Sequence, residues 1–313
     1  FKILMNYMNK ILLIDGLNRS GKNALVGPVT SLKNSESIEM NYILEHIIQG
    51  VSLKLIKLDF AKSFFLKFFD EIFYNKFIAR NANFRKIDSS SVLNFSFPKI
   101  YKSRLNKKDG IGIFSELKKT KNFFPFMTHE IMANLDILDK IKLDYKMIAV
   151  FRSPFDIVYS WHKKKIIKNF GKKNFTLSFF KKKKVYPWYV FNNYSQWLKL
   201  NNLEKSAFII NDLLTKSITQ YKKSKIKKKI LVISYEKYVE NTNSELKKIS
   251  KFLNTSFSIK TKGEIKKSKL PIKINLKEKN KRKNYLKIKL KPASFAKLNK
   301  LEERYKKNIY NLV

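Results

Sequence analysis

The sequence predicts a three-layer α/β fold, a central and mostly parallel sheet flanked by helices. Three observations point to it. First, short apolar runs fit strands buried on both faces: Ile11 to Ile14, Phe123 to Met127, Met147 to Phe151 and Ile230 to Ser234, with Phe208 to Ile210 a weaker candidate. Second, helical periodicities lie between these runs, the alternation expected of βαβ units around one sheet. Third, the first run opens into a glycine-containing turn. The run at 147–151 ends at Arg152, directly before a helix start, so polar groups fall at the carboxyl edge of the sheet, where open α/β sheets bind ligands.

In chain order, the first strand leads through the turn at 15–21 into a helix that Pro28 should shorten or kink. Leu53 to Ile78 is the most apolar stretch, but Lys54, Lys57, Asp59, Lys62, Lys67, Asp70 and Glu71 interrupt it, which makes it a core or amphipathic helix. Residues 51–120 read as a helical and loop insertion or lid on one domain spanning 1–313. Ser153-Pro154-Phe155-Asp156 supplies an N-cap, a proline at the first helical position and an acid at the third. Thr242-Asn243-Ser244-Glu245 reads as a second capping box, with Leu246, Ile249, Phe252 and Leu253 sharing the face that follows. Leu298, Leu301, Tyr305, Ile309 and Leu312 mark a closing helix, and the lysine runs at 163–165, 181–184, 222–229 and 260–291 read as loops or solvated faces.

Composition narrows the function classes. The 313 residues are 44% hydrophobic, enough for a sizeable core. There is no cysteine, which removes disulfides, thiolate metal sites and cysteine nucleophiles together. The three histidines, His46, His129 and His162, form no pair at ligand spacing, so no metal is expected. No signal-peptide pattern and no apolar run of membrane-spanning length is present, so a cytoplasmic protein without a transmembrane segment is expected. The formal charge is +43, yet only seven of the 67 basic residues are arginines. Specific nucleic-acid readers lean on arginine's planar fork, and the lysines here are scattered along the whole chain, so no specific nucleic-acid partner is expected. The charge will still concentrate anionic ligands.

Two segments carry chemistry. Gly16-Leu17-Asn18-Arg19-Ser20-Gly21-Lys22 has the Gly-x-x-x-x-Gly-Lys spacing of a phosphate-binding P-loop, in which backbone N–H groups and a helix N-terminus cradle an anion. The Ser or Thr that should follow to hold magnesium is Asn23, which weakens a nucleotide-kinase or NTPase reading. The second segment is Arg152-Ser153-Pro154-Phe155-Asp156-Ile157-Val158-Tyr159-Ser160. A guanidinium suited to phosphate oxygens ends a strand, and a hydroxyl follows two turns into the helix.

Together these segments resemble the sulfotransferase superfamily, nearer its carbohydrate and bacterial branches than the cytosolic steroid and phenol enzymes. Arg19-Ser20-Gly21 is similar to that family's 5′-phosphosulfate loop. The stretch from Arg152 to Ser160 is similar to its 3′-phosphate motif, and Ile230 to Tyr238 to its strand ending in Tyr-Glu. The resemblance implies transfer of a sulfuryl group from 3′-phosphoadenosine 5′-phosphosulfate to an acceptor hydroxyl, without a metal, the acceptor being a polar or acidic saccharide. By the same resemblance Arg19 and Lys22 stabilise the leaving phosphate, with Ser20, Gly21 and Asn23 as supporting donors. Arg152 and Ser160 then hold the 3′-phosphate, and Tyr235 lines the nucleotide pocket. The Thr128-His129 segment resembles one whose histidine removes the acceptor proton; Glu130 and Glu45 are carboxylate alternatives. His162 is expected at the surface. Lys22-Asn23 replaces hydroxyl residues common in the family, and the glycine-rich segment near the C-terminus is reduced to Gly263 with Lys266 and Lys267. Alternative readings are a P-loop kinase or NTPase, a basic nucleic-acid-binding protein, and a non-catalytic fold member that keeps donor binding.

Overall fold

A computed structural model describes residues 10–172, 175–181, 183–268, 270–271 and 273–311; Lys182, Lys269 and Leu312 of the runs named above lie outside them. Four strands, β1 (Ile11–Asp15), β2 (Phe124–Met127), β3 (Tyr145–Phe151) and β6 (Ile230–Ser234), form one sheet in the order β2-β1-β3-β6. Every pairing is parallel, with Ile11 opposite both Phe124 and Tyr145, and Met147 opposite Ile230. The remaining strands, β4 (Ser178–Lys181) and β5 (Lys184–Pro187), make a separate antiparallel hairpin.

The helices in order are α1 (Asn23–Thr30), α2 (Ile43–Ser52), α3 (Leu58–Phe77), α4 (Pro98–Arg104), α5 (Gly112–Lys119), α6 (Leu135–Ile141), α7 (Pro154–Lys163), α8 (Ile166–Asn169), α9 (Tyr194–Leu198), α10 (Asn202–Lys223), α11 (Tyr235–Glu240), α12 (Thr242–Leu253), α13 (Thr261–Lys267), α14 (Leu276–Lys289) and α15 (Pro292–Tyr305). Among the described residues no helix is long and apolar enough to cross a membrane.

The strands are apolar at consecutive positions because both faces are covered, and the side-chain period of two sorts them. Leu12, Ile14, Ile148, Val150 and Ile233 meet Leu25 and Val29 of α1 and Leu246 and Ile249 of α12. Ile11, Leu13, Met147, Ala149 and Val232 pack on the opposite side with α3, α7, α10 and α15. This is the three-layer arrangement the sequence predicts. It also locates a crevice. The neighbouring strands β1 and β3 are parallel, but the helix after β1 covers one face and the helix after β3 covers the other. Their outgoing loops therefore diverge, and ligands of open α/β sheets bind in that gap.

Two local expectations need correction. Phe208 to Ile210 is not a strand: Ala207, Ile210, Leu214 and Ile218 continue at helical spacing inside α10, which Asn201 caps by accepting from the N–H groups of Leu203 and Glu204. Thr242 is the first residue of α12 rather than its cap, and its hydroxyl donates back to the Tyr238 carbonyl. Ser153 is the N-cap residue of α7 as expected, with Pro154 opening the helix and Asp156 in its first turn, although its hydroxyl goes to Glu302 at 2.7 Å rather than to the helix. Lys181 ends β4 opposite Lys184 at the start of β5, and both are exposed, in keeping with a solvated face. Pro28 does keep α1 to eight residues.

Candidate active site

The loop after β1 is shaped by two glycines. A Cβ on Gly16 would stand 2.5 Å from the Val150 carbonyl oxygen, so only glycine lets the loop lie against β3. Gly21 has φ +96°, and a Cβ there would enter the Tyr235 ring at 2.2 Å. Between them Arg19 takes a left-handed conformation, φ +72°, which glycine would adopt without strain. An arginine held there against its backbone preference is a residue kept for its side chain.

That side chain bridges the two motifs. Arg19 Nε donates to Ser160 Oγ at 2.9 Å, and Arg152 Nη1 donates to the Arg19 carbonyl at 3.3 Å. The Arg152 guanidinium lies 4.5 Å over the Tyr235 ring, whose edge abuts Gly21. Arg19, Gly21, Arg152, Ser160 and Tyr235 therefore share one cleft at the β1/β3 divergence. Asp156 holds Arg152 at 3.7 Å and also accepts from Arg282 Nη1 at 3.0 Å, which adds a third guanidinium from α14. Among the described residues the buried Ser20 hydroxyl and Arg152 Nε have no hydrogen-bond partner, and both residues line a small cavity beneath the loop. Buried polar atoms of this kind normally find partners.

The second half of Tyr235-Glu236 positions the first. Glu236 accepts from the Ser153 N–H at 3.0 Å and from the Ser234 hydroxyl at 3.1 Å, and it also takes the Tyr305 hydroxyl of α15. The end of β6, the start of α7 and the closing helix are thereby fixed around Arg152.

Lys22 does not face the cleft. Its ammonium is buried and donates to the Gly16 carbonyl at 2.7 Å, turned toward Glu130, Asp15 and Glu45. Burial lowers its pKa against the pull of those carboxylates. Asn23, the next residue, is exposed at the first turn of α1.

The candidate bases gather around Lys22. His129 Nδ1 lies 3.0 Å from Glu45 Oε1, which also accepts from the His129 N–H. The imidazole stacks on Tyr42 at 5.8 Å, and Tyr42 stacks on Phe175. Burial, and then Lys22, push the His129 pKa down to about 4. Burial also raises Glu45 well above the usual carboxylate range. Glu130 sits at φ +60°, accepts from the Asn18 N–H at 3.1 Å and lines the same cavity as Ser20 and Arg152. Burial raises it to about 7, and burial together with the Glu130 charge holds the neighbouring Tyr189 hydroxyl well above its ordinary pKa. His162 is the half-exposed histidine expected, bonded to Tyr285 at 3.0 Å.

Among the described strands of the sheet, Asp15 ends β1, the loop's own strand, rather than the neighbouring strand where a P-loop NTPase would carry its aspartate. Both Asp15 oxygens are taken: Oδ1 by Thr128 and the Ile131 N–H, Oδ2 by the Met132 N–H. Among the described residues no group of three or more His, Asp or Glu is arranged to hold a metal. Arg282, Glu236, Asp15 and Tyr189 are site residues that sequence reasoning missed. For Arg282 a signal existed, since it is one of seven arginines in a lysine-dominated chain.

The family described as "Sulfotransferase domain" matches residues 77–308, which takes in Arg152, Ser160, Tyr235 and Arg282 and begins after the loop at 16–23. No curated protein matches the sequence significantly. Similar solved structures include the sulfotransferase domain of the Synechococcus PCC 7002 olefin synthase, 13% identical over 94% of each chain with a TM-score of 0.49. Another is the sulfotransferase domain from the curacin biosynthetic pathway, 12% identical over 80% of this chain and 75% of that one, with a TM-score of 0.43. With well over half its length matched, the chain belongs to the sulfotransferase family.

Proposed function

We propose that the protein transfers the sulfuryl group of 3′-phosphoadenosine 5′-phosphosulfate to an acceptor hydroxyl. One observation carries this reading: Arg19 bonds Ser160 while Arg152 bonds Arg19, so the loop after β1 and the strand end after β3 form one doubly cationic cleft. A nucleotide with phosphates at both its 3′ and 5′ positions fits such a pair of cradles. Arg152, Ser160 and Arg282 take the 3′-phosphate, Tyr235 flanks the base or ribose, and the loop N–H groups with Ser20 and Arg19 receive the 5′-phosphosulfate.

In the transfer the acceptor oxygen attacks sulfur in line and the bond from sulfur to the 5′-phosphate oxygen breaks. The bisphosphate leaves with that electron pair, its growing charge met by Arg19 and the loop amides. The acceptor proton goes to a base, and Glu130 is best matched: it lines the loop cavity and its pKa near 7 suits proton transfer at neutral pH. Lys22, turned inward, acts on this base by electrostatics rather than on the phosphate. His129, held by Glu45, is the rival base. Incubation with donor labelled in its sulfuryl group tests the activity: labelled ester should accumulate with an acceptor present and fall at least a hundredfold in Arg19→Ala. Tight magnesium–ATP binding with indifference to the sulfuryl donor would refute the assignment.

A further inference from the structure

Trp161 follows Ser160 on α7 and is buried, and its indole N–H reaches back to the loop after β1, donating to the Asn18 carbonyl at 2.8 Å. It differs in this from the other two tryptophans, Trp188 and Trp197, whose buried indole N–H groups are bonded to none of the described residues. Adjacent residues of α7 thus grip adjacent residues of the loop: Trp161 holds the Asn18 carbonyl, and Ser160 holds the Arg19 side chain. Asn18 is fastened at its other end as well, where its N–H donates to Glu130 at 3.1 Å. The indole ring packs against Phe170 and Tyr189, with centroids 6.1 and 6.4 Å away, so it is a fixed point against which the loop is held.

In a trans peptide the C=O and the N–H that follows it point in opposite directions, and the described residues contain no cis bond. A carbonyl drawn inward to a buried indole therefore turns the Arg19 N–H outward, to the exposed side of the loop. The next N–H, that of Ser20, is spent on the Leu17 carbonyl at 2.9 Å. The N–H groups of Arg19, Gly21 and Lys22 are bonded to none of the described residues, which leaves them to an anion. Of these three, only the Arg19 N–H is aimed by a side chain. An indole suits that task, since it is a single rigid donor with no acceptor to offer in exchange.

We propose that Trp161 is a positioning residue for the transfer: its indole N–H fixes the peptide between Asn18 and Arg19 so that the Arg19 N–H meets the donor's 5′-phosphate. The inference rests on the donor reading above. Arg19 then serves twice, through a backbone N–H aimed by Trp161 and a guanidinium held by Ser160.

The test is calorimetry with adenosine 3′,5′-bisphosphate and adenosine 3′-monophosphate, which differ only in the 5′-phosphate, on the parent, Trp161→Phe and Phe170→Leu. Trp161→Phe keeps an aromatic ring and removes the donor; Phe170→Leu loosens the same packing and leaves the donor in place. The parent should prefer the bisphosphate by about tenfold or more. Trp161→Phe should cut that preference about fivefold, bind the monophosphate within about twofold of the parent, and lower kcat for labelled transfer about tenfold. Phe170→Leu should keep the parent's preference. A preference that survives in Trp161→Phe, equal weakening of both nucleotides there, or its loss in Phe170→Leu as well, overturns the positioning role and leaves the donor reading standing. If Trp161→Phe does not fold, nitrogen-15 spectra of the three indoles in the parent decide, assigned with Trp188→Phe and Trp197→Phe. The Trp161 resonance should move with the bisphosphate and stay with the monophosphate; no movement with the bisphosphate overturns the inference. A parent that binds the bisphosphate no better than the monophosphate, or not at all, refutes the donor reading and this inference with it.

Discussion

Replacing Glu130 by glutamine should stabilise the protein in alkaline solution and leave its stability unchanged in acid. The carboxyl is 3% exposed and its pKa stands at about 7 in the fold against 4.5 ordinarily, burial being the main cause. A raised acid holds its proton in the folded state while the unfolded chain has already released it. Its contribution is therefore fully present below pH 4.5, drains away as pH rises to about 7, and is flat beyond. At roughly 1.4 kcal/mol per pH unit that displacement amounts to about 3 kcal/mol, an upper figure because Lys22 and His129 titrate against the same carboxyl. Glutamine keeps an oxygen for the Asn18 N–H and carries no charge to bury. Urea unfolding at pH 5, 6, 7 and 8.5 reads the difference directly. It should stay below about 1 kcal/mol at pH 5 and favour the variant by about 2–3 kcal/mol at pH 8.5. A difference that does not change with pH, or a parent that is the more stable protein at pH 8.5, would show that the carboxyl is not held protonated by its surroundings.

Further outcomes follow from the same geometry. The acid limb of kcat/KM should fall near pH 7, activity rising as Glu130 loses its proton; a limb near pH 4 would hand the base role to His129. Gly21→Ala forces a Cβ into the Tyr235 ring at a backbone angle alanine resists, and should cost about 2–5 kcal/mol of stability along with nucleotide affinity. Gly263→Ala is the control: nothing lies within 4 Å of a Cβ there in α13, so thermal unfolding should show a neutral or slightly stabilising change.

The sheet was legible because parallel strands buried on both faces write themselves as unbroken apolar runs, as at 11–14 and 147–151. A short apolar run inside a helix looks the same over three residues, and Phe208 to Ile210 misleads for that reason; only the spacing out to Ile218 reveals α10. Arg19, Arg152 and Ser160 could be nominated because motif spacing encodes loop and cap geometry, and the structure brings all three into contact. Side-chain direction is not encoded that way. The spacing that makes Lys22 a phosphate ligand says nothing of the carboxylates of Asp15, Glu45 and Glu130, which come together only in the fold and draw the ammonium inward. Glu236 and Arg282 act across 83 and 126 residues of chain, and no local pattern reports such partners.

That one nucleotide spans Arg19 and Arg152 is tested most directly by calorimetry with two ligands, adenosine 3′,5′-bisphosphate and adenosine 5′-monophosphate, on the parent and Arg152→Ala. The parent should prefer the bisphosphate by at least thirtyfold, about 2 kcal/mol, and Arg152→Ala should erase that preference while binding the monophosphate as the parent does. Equal affinity of the parent for both nucleotides, or a preference that survives in Arg152→Ala, would contradict the assignment of Arg152 to the 3′-phosphate.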